Sequence, residues 1–141
     1  MKEDNSIFID TNILVYAYDS SAGEKHKKAV ALFDRLAEEE RVPSISSQVL
    51  NELAVNLIRK GQSINVVKNI MTDHCQWNVI THQSLDTVEA LDLMERWKLS
   101  FWDALILLAA HRSGASVLWS EDFNDRQNYH GIVVKNPFLK H

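Results

Sequence analysis

The chain has 141 residues, 45% of them hydrophobic and 24% charged, which fits one globular domain with a sizeable core. Its formal net charge of −4 argues against a protein that grips nucleic acid over a broad basic surface, while leaving a local basic rim open. Cys75 is the only cysteine, so no intrachain disulfide can form and a reduced, cytoplasmic setting is expected.

Met1 to Ser6 is polar, carries Glu3 and Asp4, and is followed by no long apolar segment, so neither a signal peptide nor a membrane span is expected. Ile7-Phe8-Ile9 then reads as a buried strand that ends abruptly in Asp10-Thr11-Asn12. Strands of parallel sheets are covered on both faces, and ligands bind in the crevice beyond their carboxyl ends. Asp10 therefore stands where an open α/β fold does its chemistry. The plainer use of Asp10 or Asn12 is to cap a short helix, Ile13 to Tyr18, by accepting a free backbone N–H.

Small residues from Ser20 to Gly23 make a break. From Glu24 to about Glu40, Ala29, Val30, Leu32, Phe33, Leu36 and Ala37 recur at three- and four-residue spacing and mark an amphipathic helix. Pro43-Ser44-Ile45-Ser46 reads as a second strand, with Ser46 or Ser47 free to cap the next helix. That helix, Gln48 to Lys60, carries the stripe Val49, Leu50, Leu53, Ala54, Leu57 and Ile58, and Gly61 ends it. Glu52 lies in its first turns, away from that stripe.

A weaker helix, Ile64 to about Met71, precedes a third strand, Trp77 to Ile80. Ser84 to Trp97 returns to helical period with Leu85, Val88, Leu91, Leu93 and Met94 as its apolar side. Ser100-Phe101-Trp102-Asp103 opens a helix, Ala104 to Arg112, that is apolar all round and ends near Gly114; such a helix must be central. A fourth strand, Ser116 to Ser120, runs straight into Glu121-Asp122-Phe123-Asn124-Asp125, and Gly131 to Val134 makes a fifth. This alternation implies a parallel sheet flanked by helices, with no repeat and no linker to divide the span 1–141 into separate domains.

Four acids stand out: Asp10, Glu52, Asp103 and Asp122. Their positions are compatible with one crevice, where carboxylates forced together stay ionised mainly when a hard divalent cation offsets their repulsion. Oxygen ligands without histidine or thiolate suit magnesium or manganese rather than zinc. Each acid also has an ordinary use. Asp103 has the spacing of a capping-box partner for Ser100 and favours the helix dipole, Glu52 can be a solvated helix residue, and Asp122 can be a loop acid. None of the six histidines has convincing ligand spacing; His74 beside Cys75 lacks a second pair, and the terminal His141 is expected to be disordered.

Ile9-Asp10-Thr11-Asn12, Asn51-Glu52, Trp102-Asp103-Ala104-Leu105 and Ser120-Glu121-Asp122-Phe123 resemble, in order and spacing, the motifs of PIN-domain nucleases, particularly VapC-type toxins of toxin–antitoxin pairs. The likeness runs from about Ile7 to Phe138 and includes the closing Asn136-Pro137-Phe138. It implies a three-layer α/β/α sandwich with a central parallel sheet of about five strands. It further implies magnesium-dependent endoribonuclease activity, with manganese a plausible substitute, products carrying 5′-phosphate and 3′-hydroxyl ends, a cognate antitoxin, and homodimerisation.

Carried over residue by residue, Asp10 and Asp103 match the principal metal ligands, and Glu52 and Asp122 the remaining acids of the catalytic cluster. Thr11, Asn12 and Ser120 match its polar support. The chain departs from its relatives at Asn124, where a further acid often stands, and leaves open which of Glu121, Asn124 and Asp125 assists Asp122.

A metal among the acids would orient a phosphodiester and activate water for in-line attack, with no side-chain nucleophile. The same acidic cleft suits an antitoxin arginine or lysine. Lys25, Lys27, Lys28, Arg59, Lys60, Arg112 and Arg126 are candidate phosphate contacts, although most such charges are simply solvated. Trp102 and Phe123 flank acids and are candidates for base stacking or for core packing. Two competing readings are a non-catalytic RNA-binding or scaffold protein with this fold and an aspartyl phosphatase; against the latter, Asn12 stands where a second aspartate is expected.

Overall fold

A computed structural model describes residues 6–139; the polar segment with Glu3 and Asp4, and His141, lie outside the described residues. In chain order the elements are β1 (Ile7–Ile9), α1 (Thr11–Tyr18), a 3-10 turn (Ser20–Ala22), α2 (Glu24–Glu38), β2 (Ser44–Ser46), α3 (Ser47–Arg59) and α4 (Ile64–His74). They continue with β3 (Asn78–Ile80), α5 (Asp86–Trp97), α6 (Phe101–Ser113), β4 (Val117–Trp119), β5 (Asn128–Tyr129) and β6 (Ile132–Lys135). Among the described residues, no helix is long and apolar enough to cross a membrane.

The strands form one sheet in the order β3-β2-β1-β4-β6-β5, parallel except where β5 pairs antiparallel with β6. The expected parallel sheet of about five strands is present, and a sixth, two-residue strand, β5, joins its edge antiparallel. The extra strand comes from the turn at His130-Gly131, where both residues have positive φ, 53° and 96°. Positive φ at both central residues is the type I′ turn, whose twist matches that of the strands of a two-residue hairpin.

β1 is central and fully covered: Phe8 and Ile9 have no exposure. From β1 the chain first builds outward through β2 and β3, and only later returns to lay β4 on the other side. The carboxyl end of β1 is therefore a point where strand order reverses, the place open α/β sheets keep for ligands. Helices flank the sheet, α1 packing with α2 and α3 and α5 with α6.

α6 is the buried helix foreseen from its composition, with every residue from Ala104 to Ala110 buried. Ser100 caps it through the Asp103 N–H, and Gly114, at φ 78°, ends it. The apolar side assigned to α5 is corrected: Leu85, Val88 and Leu91 are exposed, Leu93 and Met94 are half-buried, and the fully covered residues are Ala90 and Asp86. Ala90 packs on Ala104 and Leu105 of α6, and small residues let two helices approach closely. Asp86 is buried because Arg112 holds both its oxygens and the Gln83 N–H bonds to it.

Candidate functional site

Asp10 follows β1 and caps α1, accepting the Thr11 N–H at 2.7 Å. The cap and the site are therefore one residue rather than alternatives. Its second oxygen accepts the Ser120 hydroxyl at 2.6 Å, and its own N–H reaches Trp119 O across the β1–β4 pair. Ser120 Oγ also accepts the Asp122 N–H at 3.0 Å, and the Asn12 amide donates to the Asp122 carboxylate at 3.0 Å. Asp103 arrives from the first turn of α6. One oxygen from each of Asp10, Asp103 and Asp122 lies within 4.8 Å of the others.

Glu52 enters the same cleft from α3 but stands outside that trio. One of its oxygens accepts the Thr11 hydroxyl at 2.5 Å, and the other the Gln48 amide at 3.2 Å. Gln48 was not foreseen in the site, although its place four residues before Glu52 on one helix face was a usable signal.

A model of the PIN domain family matches residues 7–128. The chain belongs to the PIN domain family. Its fold is similar to a toxin–antitoxin complex structure from Klebsiella pneumoniae, at TM-score 0.69 and 21% identity over 94% of this chain and 98% of that one. It is also similar to VapC20 of Mycobacterium tuberculosis, described as a toxin that cleaves the sarcin–ricin loop, at TM-score 0.62 and 20% identity over 83% and 92% of the two chains. No curated protein matches the sequence significantly.

In this PIN domain the acids sit in a costly environment. Burial raises the Asp10 pKa to about 7, with the charges of Asp122 and Asp103 pushing the same way and the Ser120 hydrogen bond opposing. Asp103 and Asp122 are raised too, in each case chiefly by burial and then by neighbouring acids. Among the described residues no ion pair reaches any of the three. Converging hard oxygens without a cationic partner are a donor set that fits a divalent ion, with Asp10, Asp103 and Asp122 able to hold it.

The polar residues flanking Asp122 are accounted for elsewhere. Glu121 is bound by Lys25 at 2.5 Å and by the Tyr16 hydroxyl at 2.7 Å, Asn124 bonds Gln127, and Asp125 accepts the Asn136 N–H. The basic candidates thin out likewise. Lys25 pairs with Glu121, Lys27 with Glu24, Lys60 with Asp19, Arg112 with Asp86 and Arg126 with Asp125, while Lys28 bonds the Phe138 carbonyl. Arg59 lines the cleft and makes no ion pair among the described residues. The two aromatics separate cleanly: Phe123 is buried in the core, whereas Trp102 is 60% exposed and lines the cleft.

Proposed function

We propose that this PIN-domain protein is a magnesium-dependent endoribonuclease and the toxin of a toxin–antitoxin pair. The observation that carries the reading is the meeting of Asp10, Asp103 and Asp122, from three distant segments, within 4.8 Å. The two similar structures named above are described as a toxin–antitoxin complex and a toxin, which supports the cellular role.

A divalent ion held at the acids would supply Lewis acidity, making water a nucleophile near neutral pH and offsetting charge on the phosphate oxygens. Asp10 and Asp103 would hold the ion, and Asp122 would complete the set. The Thr11 N–H and Ser120 hydroxyl keep Asp10 turned into the cleft. Glu52, steadied at one oxygen by Thr11 and at the other by Gln48, positions the attacking water and takes its proton at a carboxylate oxygen. No side chain attacks phosphorus; the family resemblance implies that water adds as the bond from phosphorus to O3′ breaks, the leaving oxygen taking up a proton, so that the ends are 5′-phosphate and 3′-hydroxyl. A small antitoxin silences the site by laying an arginine or lysine among the acids, and the active toxin is a cytoplasmic homodimer.

The test is incubation of purified protein with total RNA in magnesium or manganese, with sequencing of the new 5′ ends and Asp10→Asn as the comparison. Cleavage is expected to require the metal and to fall more than about 100-fold in the variant, since loss of mere supporting partners of metal ligands already costs about 10- to 100-fold. Cleavage and growth inhibition that survive in Asp10→Asn would refute the assignment.

A further inference from the structure

The cleft, at about 980 Å3, is far larger than an ion and one phosphate require. Its remaining lining is specific in kind. Gln48, Glu52, Asn56 and Arg59 line it from one face of α3, at spacings of four, four and three residues. Gln48 Nε2 donates both to Glu52 and to the Trp102 carbonyl, at 3.2 and 3.3 Å. That bond sets Trp102 beside the amino-terminal end of the α3 face. Arg59 lies seven residues beyond Glu52 on the same helix, about 10 Å along its axis.

We propose that Trp102 is a platform on which a base of single-stranded RNA stacks beside the phosphodiester addressed by the acids, and that Arg59 takes a phosphate on the far side. This rests on the nuclease reading above and adds how the strand is held. Trp102 is 60% exposed although the seven residues from Ala104 onward are all buried. Its indole meets Phe101 edge-on, with ring centroids 5.2 Å apart, so the fold steadies the ring without covering it. Stacking on an exposed aromatic is tolerant of base identity, because every base has a π-face.

Gln48 adds a second feature a base would satisfy. Both partners of its amide are acceptors, so the NH2 must face them, and Oε1 is left buried without a donor. Each RNA base carries an N–H on its pairing edge that fits such an acceptor. An aromatic face and an orphaned acceptor near the start of α3, and an unpaired guanidinium at its end, with Glu52 between them, match the parts of a nucleotide strand. A protein partner could meet each of these groups singly, and the abasic strand in the test below separates the two occupants.

The experiment measures binding of fluorescein-labelled oligo(A), oligo(U) and an abasic ribose-phosphate strand of equal length by anisotropy, in calcium at low salt. Cleavage kinetics are followed in manganese. Trp102→Ala is expected to weaken both base-bearing strands about tenfold, the scale of one lost stacked base, and to raise KM with little change in kcat. Binding of the abasic strand stays unchanged. Trp102→Phe restores binding and Trp102→Leu does not, whereas a role in packing alone would accept leucine.

Arg59→Gln is expected to weaken all three strands alike and to lower the salt dependence by about 0.7 of a log unit per log unit. Wild-type affinity in Trp102→Ala, an equal loss on the abasic strand, or full rescue by leucine overturns the inference while leaving the nuclease reading intact. Unchanged RNA binding with loss of a protein partner does the same and moves Trp102 to a protein interface. Wild-type protein that neither binds nor cuts RNA overturns both.

Discussion

Ser120 has one hydroxyl and two duties. It donates to Asp10 and accepts the Asp122 N–H, and with no exposure of its own it has no water to replace either bond. Ser120→Ala is therefore expected to weaken manganese binding about 10- to 100-fold, as loss of a ligand's supporting partner does. Titration calorimetry reads this directly, and an unchanged affinity would detach Ser120 from the site. At the same scale, the motif singled out Asp122 but left open whether Glu121, also an acid just past a strand, assists it. The choice is made by Lys25 and Tyr16, which lie about a hundred positions away and hold Glu121 to themselves.

Among the elements, β1, α3 and α6 were legible because each has an unambiguous apolar pattern. The start of α1 was misplaced by two residues because Thr11 and Asn12 look like turn residues, yet Asp10 caps ahead of them. β5 was missed because two residues carry no alternation. The apolar side of α5 was misjudged because periodicity shows that a helix has a greasy face but not that a neighbour covers it. Here the contact runs through Ala90, the smallest residue available, with Leu93 and Met94 of the assigned side packed beside it.

Burial so distributed predicts unequal costs for the same truncation. Leu107→Ala, at a position with no exposure, is expected to destabilise by about 2–5 kcal/mol. Leu91→Ala, at an exposed position, should stay within about 0.5 kcal/mol of wild type. Urea denaturation of both variants checks the pair, and a large loss at Leu91 would mean that the leucine side of α5 is covered after all.

Taken whole, the molecule carries its functional charge as a liability. Asp10 has a folded pKa of about 7 against an ordinary value of 3.8. Between those values the folded state binds a proton that the unfolded state has lost, so this group destabilises metal-free protein increasingly as pH rises from about 4 to 7. Burial of neutral His74 and His111 lowers their pKa and works in the opposite sense as pH falls through the histidine range. Comparison with Asp10→Asn isolates the carboxylate.

Without metal, the variant should melt above wild type by a margin that grows from about pH 5 to about pH 8, corresponding to on the order of a few kcal/mol. Manganese should raise the melting temperature of wild type far more than that of the variant, and more at the higher pH. A margin independent of pH would mean that Asp10 titrates normally.

The bond between Ser120 and Asp10 spans 110 positions, and β1 meets its neighbour β4 only through residues 117–119. Synthesis delivers Asp10 first and its companions Asp103 and Asp122 last. A chain still being synthesised therefore cannot assemble its acidic cluster until Asp122 has been added, and the centre forms late, once β4 has come to lie against β1.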